Sequence, residues 1–421
     1  VKSQTNSSFS PTQHSALSTQ HSTLIHPSSF ILLALLLRLA FAWFSVEVAD
    51  TANYRRVAEI LQQGGQLYDD TPGIYPYPPV WFLVEQGALW LAQHTFISFI
   101  FWVKLLPVLF DTGIVGLLHL LTCNQTGNLR YVSLLYAFNP LPILVCAFQG
   151  QFDSIPIFFC GLALYCFDRK TSYRLAALCL LVAVALKGFP VLLLPFFLFR
   201  LENWRQRLIF TGIVLLPVGL ILLPFLVADF PAVGRELFGY SGYPDHGWVA
   251  LAWGGYKLIS PESSLGTTLQ LLITVSKGLF LFGYAGLLYL GYRGGLARFS
   301  PVFQIALVFA TFYALYGGLS SQYLLWLLPF LLLLNPKYAI IYSLLAVAAL
   351  LAFYNYQWPV IIYRVPVSIP SKNISAGLWL VATGGWWLAV AVGLSAAVRR
   401  ILAGRIFDSM QNGTQNGTQK G

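Results

Sequence analysis

Asp50 follows the first apolar run of the chain, and the stiff step Tyr75-Pro76-Tyr77-Pro78-Pro79 follows Asp50. An isolated carboxylate in such a place can take the proton of a reacting hydroxyl, which is general-base chemistry. Asp50 opens the stretch Asp50-Thr51-Ala52-Asn53-Tyr54-Arg55-Arg56, and Val57, Ile60 and Leu61 beyond it form an apolar stripe at helical spacing. The competing reading of Asp50 is a helix N-cap. A second constellation, Gln149-Gly150-Gln151-Phe152-Asp153-Ser154, follows Asn139-Pro140. Asp153 could divide roles with Asp50 or share a metal with it. Alternatively, Asp153 or Ser154 caps the next helix. Lys187, in Leu186-Lys187-Gly188-Phe189-Pro190, either binds an anion at the membrane boundary or snorkels. His246, in the polar aromatic stretch Tyr240–Trp248, and Gln322-Tyr323, after Ser320-Ser321, stand where a carbohydrate could bind. Aromatic residues also collect at membrane interfaces without binding anything.

The elements that hold these residues must be membrane helices. The chain has 421 residues, of which 57% are hydrophobic and 10% charged, and its mean hydropathy is +0.68. Soluble proteins carry roughly 25% charged residues. Apolar runs of about 18 residues or more recur along the chain, continuous rather than alternating. The backbone must be satisfied internally in lipid, so the expected fold is all-α and polytopic. The net charge of +10 comes from basic residues between apolar runs. That placement fits the positive-inside rule and no nucleic-acid partner. The five cysteines (Cys123, Cys146, Cys160, Cys166, Cys179) lie in or at the edges of spans without metal-ligand spacing. No phosphate-binding glycine loop or serine-nucleophile elbow occurs. Arg38, inside the first run, must face the bundle interior. Lys104 and Asp111, on one helix face, read as a structural pair.

Basic connections contain Arg130, Arg169, Lys170, Arg174, Arg200, Arg205, Arg207, Arg293, Arg298, Lys337, Arg399 and Arg400, and mark the cytoplasmic side. Acidic residues gather in the other connections. The two sets reconcile if 79–94 lies on the outer surface and 175–200 folds back at Lys187-Gly188-Phe189-Pro190. About twelve spans result, with both termini cytoplasmic and outer loops at 47–96, 229–264 and 355–375. Residues 1–28 form a disordered cytoplasmic tail, 29–228 a first membrane module and 229–398 a second. Residues 399–421 form another cytoplasmic tail, also of disordered composition.

The order Asp50…Tyr54…Leu67-Tyr68…Tyr77-Pro78-Pro79, Asn139-Pro140…Gly150-Gln151-Phe152-Asp153, Leu186-Lys187-Gly188-Phe189-Pro190 and Gln322–Pro329 resembles the GT-C superfamily of integral-membrane glycosyltransferases. It is similar to bacterial polyprenyl-phosphate-mannose-type enzymes, to the catalytic subunit of GPI mannosyltransferase I and to endoplasmic-reticulum glucosyltransferases. The likeness runs through about residues 30–335. Each motif is short, and their joint order is the specific part. The resemblance implies Asp50 as base, Asp153 beside the donor, and a first outer loop with surface-lying helices. Lys187, Arg56, Gln151 and Tyr77 would meet the lipid phosphate, and Tyr54, His246, Gln322 and Tyr323 the sugar or acceptor. Where the GPI enzyme has two acidic residues before the loop tyrosine, this chain has Asp50 and Asn53. No cofactor is therefore expected, and the expectation is independence of a divalent metal there.

The expected activity is transfer of a sugar, mannose first, from a polyprenyl-phosphate carrier to a hydroxyl of a glycan, glycolipid or protein on the extracytoplasmic face. The alternative is a non-catalytic transporter of a lipid-linked sugar. A transporter usually shows internal repeats and mid-bilayer charges, and no convincing repeat occurs here. The expected location is a bacterial plasma membrane before the endoplasmic reticulum.

Overall fold

The computed structural model describes residues 27–417 except 124, 126–128, 130, 169–171, 260–265 and 358–371. The expected tail up to residue 26, the basic residues Arg130, Arg169 and Lys170, and most of the expected loop 355–375 lie outside the described residues. Among those described, the protein is all-helical, and the one extended pairing is an isolated bridge between His246 and Leu319.

Helix α1 (Pro27–Phe44) is followed after a 73° bend by α2 (Ala49–Gln62). Thr51 fixes the start of α2: its hydroxyl donates to the Val48 carbonyl and accepts from the Val48 amide, both at 3.0 Å. Helix α3 (Trp81–His94) packs on α2, and its entry is held by Tyr75, whose hydroxyl accepts from the Phe82 amide at 2.9 Å. Its 14 residues reach roughly 21 Å, short of a hydrocarbon core about 30 Å thick. Glu85, on this helix, turns inward. It is fully buried, and burial pushes its carboxyl well above the usual carboxylate range.

Helix α4 (Phe99–Thr122) carries Asp111 against α1, and α5 (Val132–Gln149) is broken at Phe138–Asn139 before Pro140, which lacks the N–H to continue a helix. Asn139 caps the restart by accepting from the Leu141 amide at 3.0 Å, and Ile143–Gln149 is wound as a π-helix. Then come α6 (Ser154–Asp168), α7 (Tyr173–Leu186), a 3-10 turn (Phe189–Leu193) and α8 (Leu194–Leu198). The break between α7 and the 3-10 turn falls at Lys187-Gly188, where the sequence predicts the fold-back. Beyond it lie α9 (Trp204–Ala228), α10 (Phe230–Val233), a π-turn (Gly234–Phe238), α11 (Gly247–Ile259), α12 (Gly266–Tyr292) and α13 (Pro301–Leu315). A 3-10 turn (Ser321–Leu325), α14 (Leu328–Leu334), α15 (Pro336–Gln357) and α16 (Lys372–Gly417) complete the order. The final helix runs to Gly417, through a stretch whose composition predicts disorder.

Six described helices are long and apolar enough to cross a membrane, or seven if the bent pair α1–α2 is one span. About twelve were expected. The difference lies in apolar helices such as α6, α7 and α13, which have 14 or 15 residues where a full crossing takes about 20. One large apolar core joins the spanning helices, and a smaller one around Tyr54, Trp81 and Phe152 lies under α2 and α3.

Two buried charges differ from expectation. Asp111 pairs with Arg38 at 2.6 Å rather than with Lys104, and also accepts from the Tyr136 hydroxyl at 2.6 Å. Lys104 donates to the Ser45 hydroxyl at 2.6 Å and to the Phe148 carbonyl at 2.5 Å. Helix spacing along α4 alone suggested the Lys104–Asp111 pair, but each residue finds a closer partner on another element.

The loops that charge assigns to one face meet at one end. Gly73 donates to Glu236 at 2.8 Å, Tyr243 to the Ser320 hydroxyl at 3.2 Å, and Trp379 of α16 to the Asp245 carbonyl at 2.9 Å. The basic residues Arg200, Arg298 and Arg400 meet around Phe299 at the other end of α13.

Candidate functional site

The turn from Gln149 to Asp153 sets the site. Gly150 ends the π-helix with φ of 86°, a backbone region glycine enters freely. A Cβ there would lie 2.7 Å from the Lys104 side chain and 2.8 Å from Thr51. The turn sends three polar side chains three ways. Gln149 donates to Asp50 Oδ2 at 2.9 Å, Gln151 accepts from the Tyr54 hydroxyl at 3.1 Å, and Asp153 accepts from Lys187 at 2.5 Å. Gly150→Ala is expected to cost about 1–3 kcal/mol through strain and crowding, measured by thermal unfolding; wild-type unfolding would show that the turn relaxes freely.

Asp50 stands in the first turn of α2 but does not cap it, because Val48 holds the N-cap position. Its side chain faces a cavity of about 330 Å³ shared with Asn53, Tyr77, Gln149, Tyr240, Asp245 and Gln322. Tyr243, Ser320, Ser321, Phe353 and Gln357 complete the polar and aromatic wall. One oxygen of Asp50 is held by Gln149, and the other takes no hydrogen bond from a described residue.

Across this cavity is Asp245, which the sequence reading passed over. Its Oδ2 accepts from the Ser321 amide at 3.1 Å and the Ser321 hydroxyl at 3.2 Å. Burial, with the charge of Asp50 adding to it, pushes the Asp245 carboxyl up to about 7 despite those bonds. Behind it His246 is fully buried, with Nε2 3.3 Å from the Ser321 hydroxyl and Nδ1 3.3 Å from the Thr383 hydroxyl. Burial lowers the imidazole to about 3, so His246 is neutral and links Thr383 to Ser321 by hydrogen bonds. The sequence signals for Asp245 were its place in the Tyr240–Trp248 stretch and among the acidic residues of the outer connections.

The other expected site residues divide. Tyr77 and Gln322 line the cavity. Asp153 does not line it: it is fully buried, held by Lys187 at 2.5 Å and by the Trp326 indole N–H at 2.6 Å. Its carboxylate therefore caps no helix, and Ser154 donates to the Pro107 carbonyl at 2.8 Å. Lys187 is paired rather than open to an anion, and its ammonium lies 4.5 Å from the Phe152 ring centre and 5.3 Å from that of Tyr77. Tyr77 thus borders both the ion pair and the cavity. Tyr54 and Gln151 are buried beside Trp81 and Phe152 and are not among the residues that line the cavity. Tyr323 packs 4.2 Å from Trp326, and Arg56 is exposed and outside the cavity wall. Among the described residues, no three His, Cys, Asp or Glu side chains gather as metal ligands.

A second cavity of about 240 Å³ adjoins the first and shares Tyr243, Asp245, Phe353 and Gln357 with it. Among the described residues its wall adds Trp253, Leu269, Trp379 and Lys257, whose ammonium lies 5.1 Å from the Trp253 ring centre. The pair of cavities therefore offers two carboxylates, aromatic surfaces and an ammonium in sequence.

Comparison with known protein families and with curated proteins finds no match for this chain.

Proposed function

We propose that the protein is an integral-membrane glycosyltransferase that moves a sugar, mannose first, from a polyprenyl phosphate to an acceptor hydroxyl. The observation that carries this reading is Asp50: one carboxylate oxygen is fixed by Gln149 and the other turns to an aromatic-walled cavity facing Asp245. In the reaction Asp50 takes the acceptor proton as the acceptor oxygen bonds to the anomeric carbon. The bond from that carbon to the phosphate oxygen breaks, its electron pair leaves with the lipid phosphate, and the anomeric centre inverts. Tyr77, Tyr240 and Tyr243 offer ring faces and hydroxyls to the sugar. Lys257, in the adjoining cavity, meets the departing phosphate. It takes the role that the sequence assigned to Lys187 and Arg56.

Asp245 has a distinct part in this scheme. A carboxyl that is half neutral near pH 7 can donate a hydrogen bond to a sugar hydroxyl, while an ionised one can only accept. It is neutral below its pKa, so activity is expected to fall as pH rises through about 7. Asp245→Asn, which donates at every pH, is expected to flatten that alkaline limb. An unchanged limb in the variant would remove Asp245 from the role.

The proposal extends to about twelve spans, the short helices included, with both termini cytoplasmic and the cavity on the extracytoplasmic face of a bacterial plasma membrane. The acceptor is a glycan, glycolipid or protein. The direct test incubates the purified protein with radiolabelled polyprenyl-phosphate mannose and a panel of acceptors, then with glucose and arabinose donors. Transfer or slow donor hydrolysis supports the enzyme. Translocation of the lipid-linked sugar in vesicles with no turnover of any donor would replace it with the transporter reading.

A further inference from the structure

A further cavity lies away from the site, at the other end of α15 and α16. It holds about 500 Å³ and is walled by α13, α14, α15 and α16, with Ala306, Ala310, Leu331 and Ala397 among its apolar residues. Tyr338 lines it near the start of α15, whereas Phe353 and Gln357 near the end of α15 line the Asp50 cavity. Nineteen residues of helix at 1.5 Å each put these ends roughly 28 Å apart. The groove is therefore no part of the sugar site.

Its mouth is polar and basic. Asn335 and Arg400 complete the lining. The Arg400 guanidinium lies 5.9 Å from the ring centre of Phe299, which stacks at 4.7 Å on the groove residue Phe303. Arg200 donates to the Phe299 carbonyl at 2.6 Å, and Arg298 lies 5.1 Å from the same ring. Lys337 and Arg399 are exposed beside these elements. An apolar slot between membrane helices that opens at a cluster of cations suits one occupant: an acyl chain attached to an anionic head group.

We propose that this groove binds an anionic phospholipid, with an acyl chain between α13 and α16 and the phosphate at Arg400. The site is independent of the sugar-transfer reading. The tail lies on Ala306, Ala310 and Ala397, whose small side chains leave the slot open. The negative charge of the head group is complementary to the Arg400 guanidinium at the lining.

The test is native mass spectrometry and fluorescence titration of the full chain with phosphatidylglycerol and with phosphatidylcholine of the same acyl chains. The wild type is expected to prefer phosphatidylglycerol. Arg400→Gln, at an exposed side chain, is expected to weaken that lipid about fivefold and leave phosphatidylcholine unchanged. Ala397→Phe, which fills the slot, is expected to weaken both lipids while thermal unfolding stays cooperative. Equal binding of the two lipids by the wild type, or an Arg400→Gln variant with undiminished preference, would overturn the proposal. So would a protein that takes neither lipid and forms a dimer that Ala397→Phe dissociates, which would assign the groove to a second copy.

Discussion

Asp50→Asn is expected to lower sugar transfer by about 10²–10⁴-fold, the usual worth of a positioned general base. The substitution preserves shape and size. The amide oxygen can still accept from Gln149, now at 2.9 Å from Asp50 Oδ2, so α2 should keep its start and the cavity its wall. What is lost is the ability to receive a proton. Thermal unfolding and donor binding are therefore expected to match the wild type while turnover collapses. Initial rates at saturating donor check this. A variant that folds, binds donor and turns over at the wild-type rate would remove Asp50 as base.

Lys187→Met is expected to destabilise the protein by about 3–5 kcal/mol, because it leaves Asp153 buried without its counter-charge. Asp153→Leu is expected to cost a similar amount for the reciprocal reason. The double variant should be more stable than either single one, since neither charge is then stranded. Chemical unfolding of the three variants in one detergent measures the coupling. The same experiment separates two views of these residues. If Asp153 oriented substrate and Lys187 bound phosphate from an open site, the single variants would lose activity with little loss of stability. Additive losses in the double variant would contradict the coupled, buried pair.

The helical class was legible because continuous apolar runs have one satisfied backbone solution in lipid. The helix break at Lys187-Gly188 was legible because Gly and Pro interrupt the apolar run there. Span number was less so, since α6, α7 and α13 are apolar in composition but only 14 or 15 residues long. Within the site, Asp50 and Gln149 stood out as polar groups beside apolar runs. Asp153 and Lys187 carried the same signal, yet they face each other under Tyr77. Sequence spacing reports that a charge is present, not which element lies across from it. The partner of Arg38 lies 73 residues away and that of Asp153 lies 34 away. Asp245 was missed for the same reason: its importance comes from Ser321 and Asp50, both remote in sequence.

The central claim is that the cavity between Asp50 and Asp245 receives the sugar of a polyprenyl-phosphate donor. A cryo-electron microscopy map of the protein with such a donor, trapped in Asp50→Asn, tests it most directly. The account predicts density for the sugar between residue 50 and Asp245, for the phosphate beside Lys257, and for the prenyl chain leading from the adjoining cavity into lipid. Donor density elsewhere, with this cavity holding water alone, would contradict it.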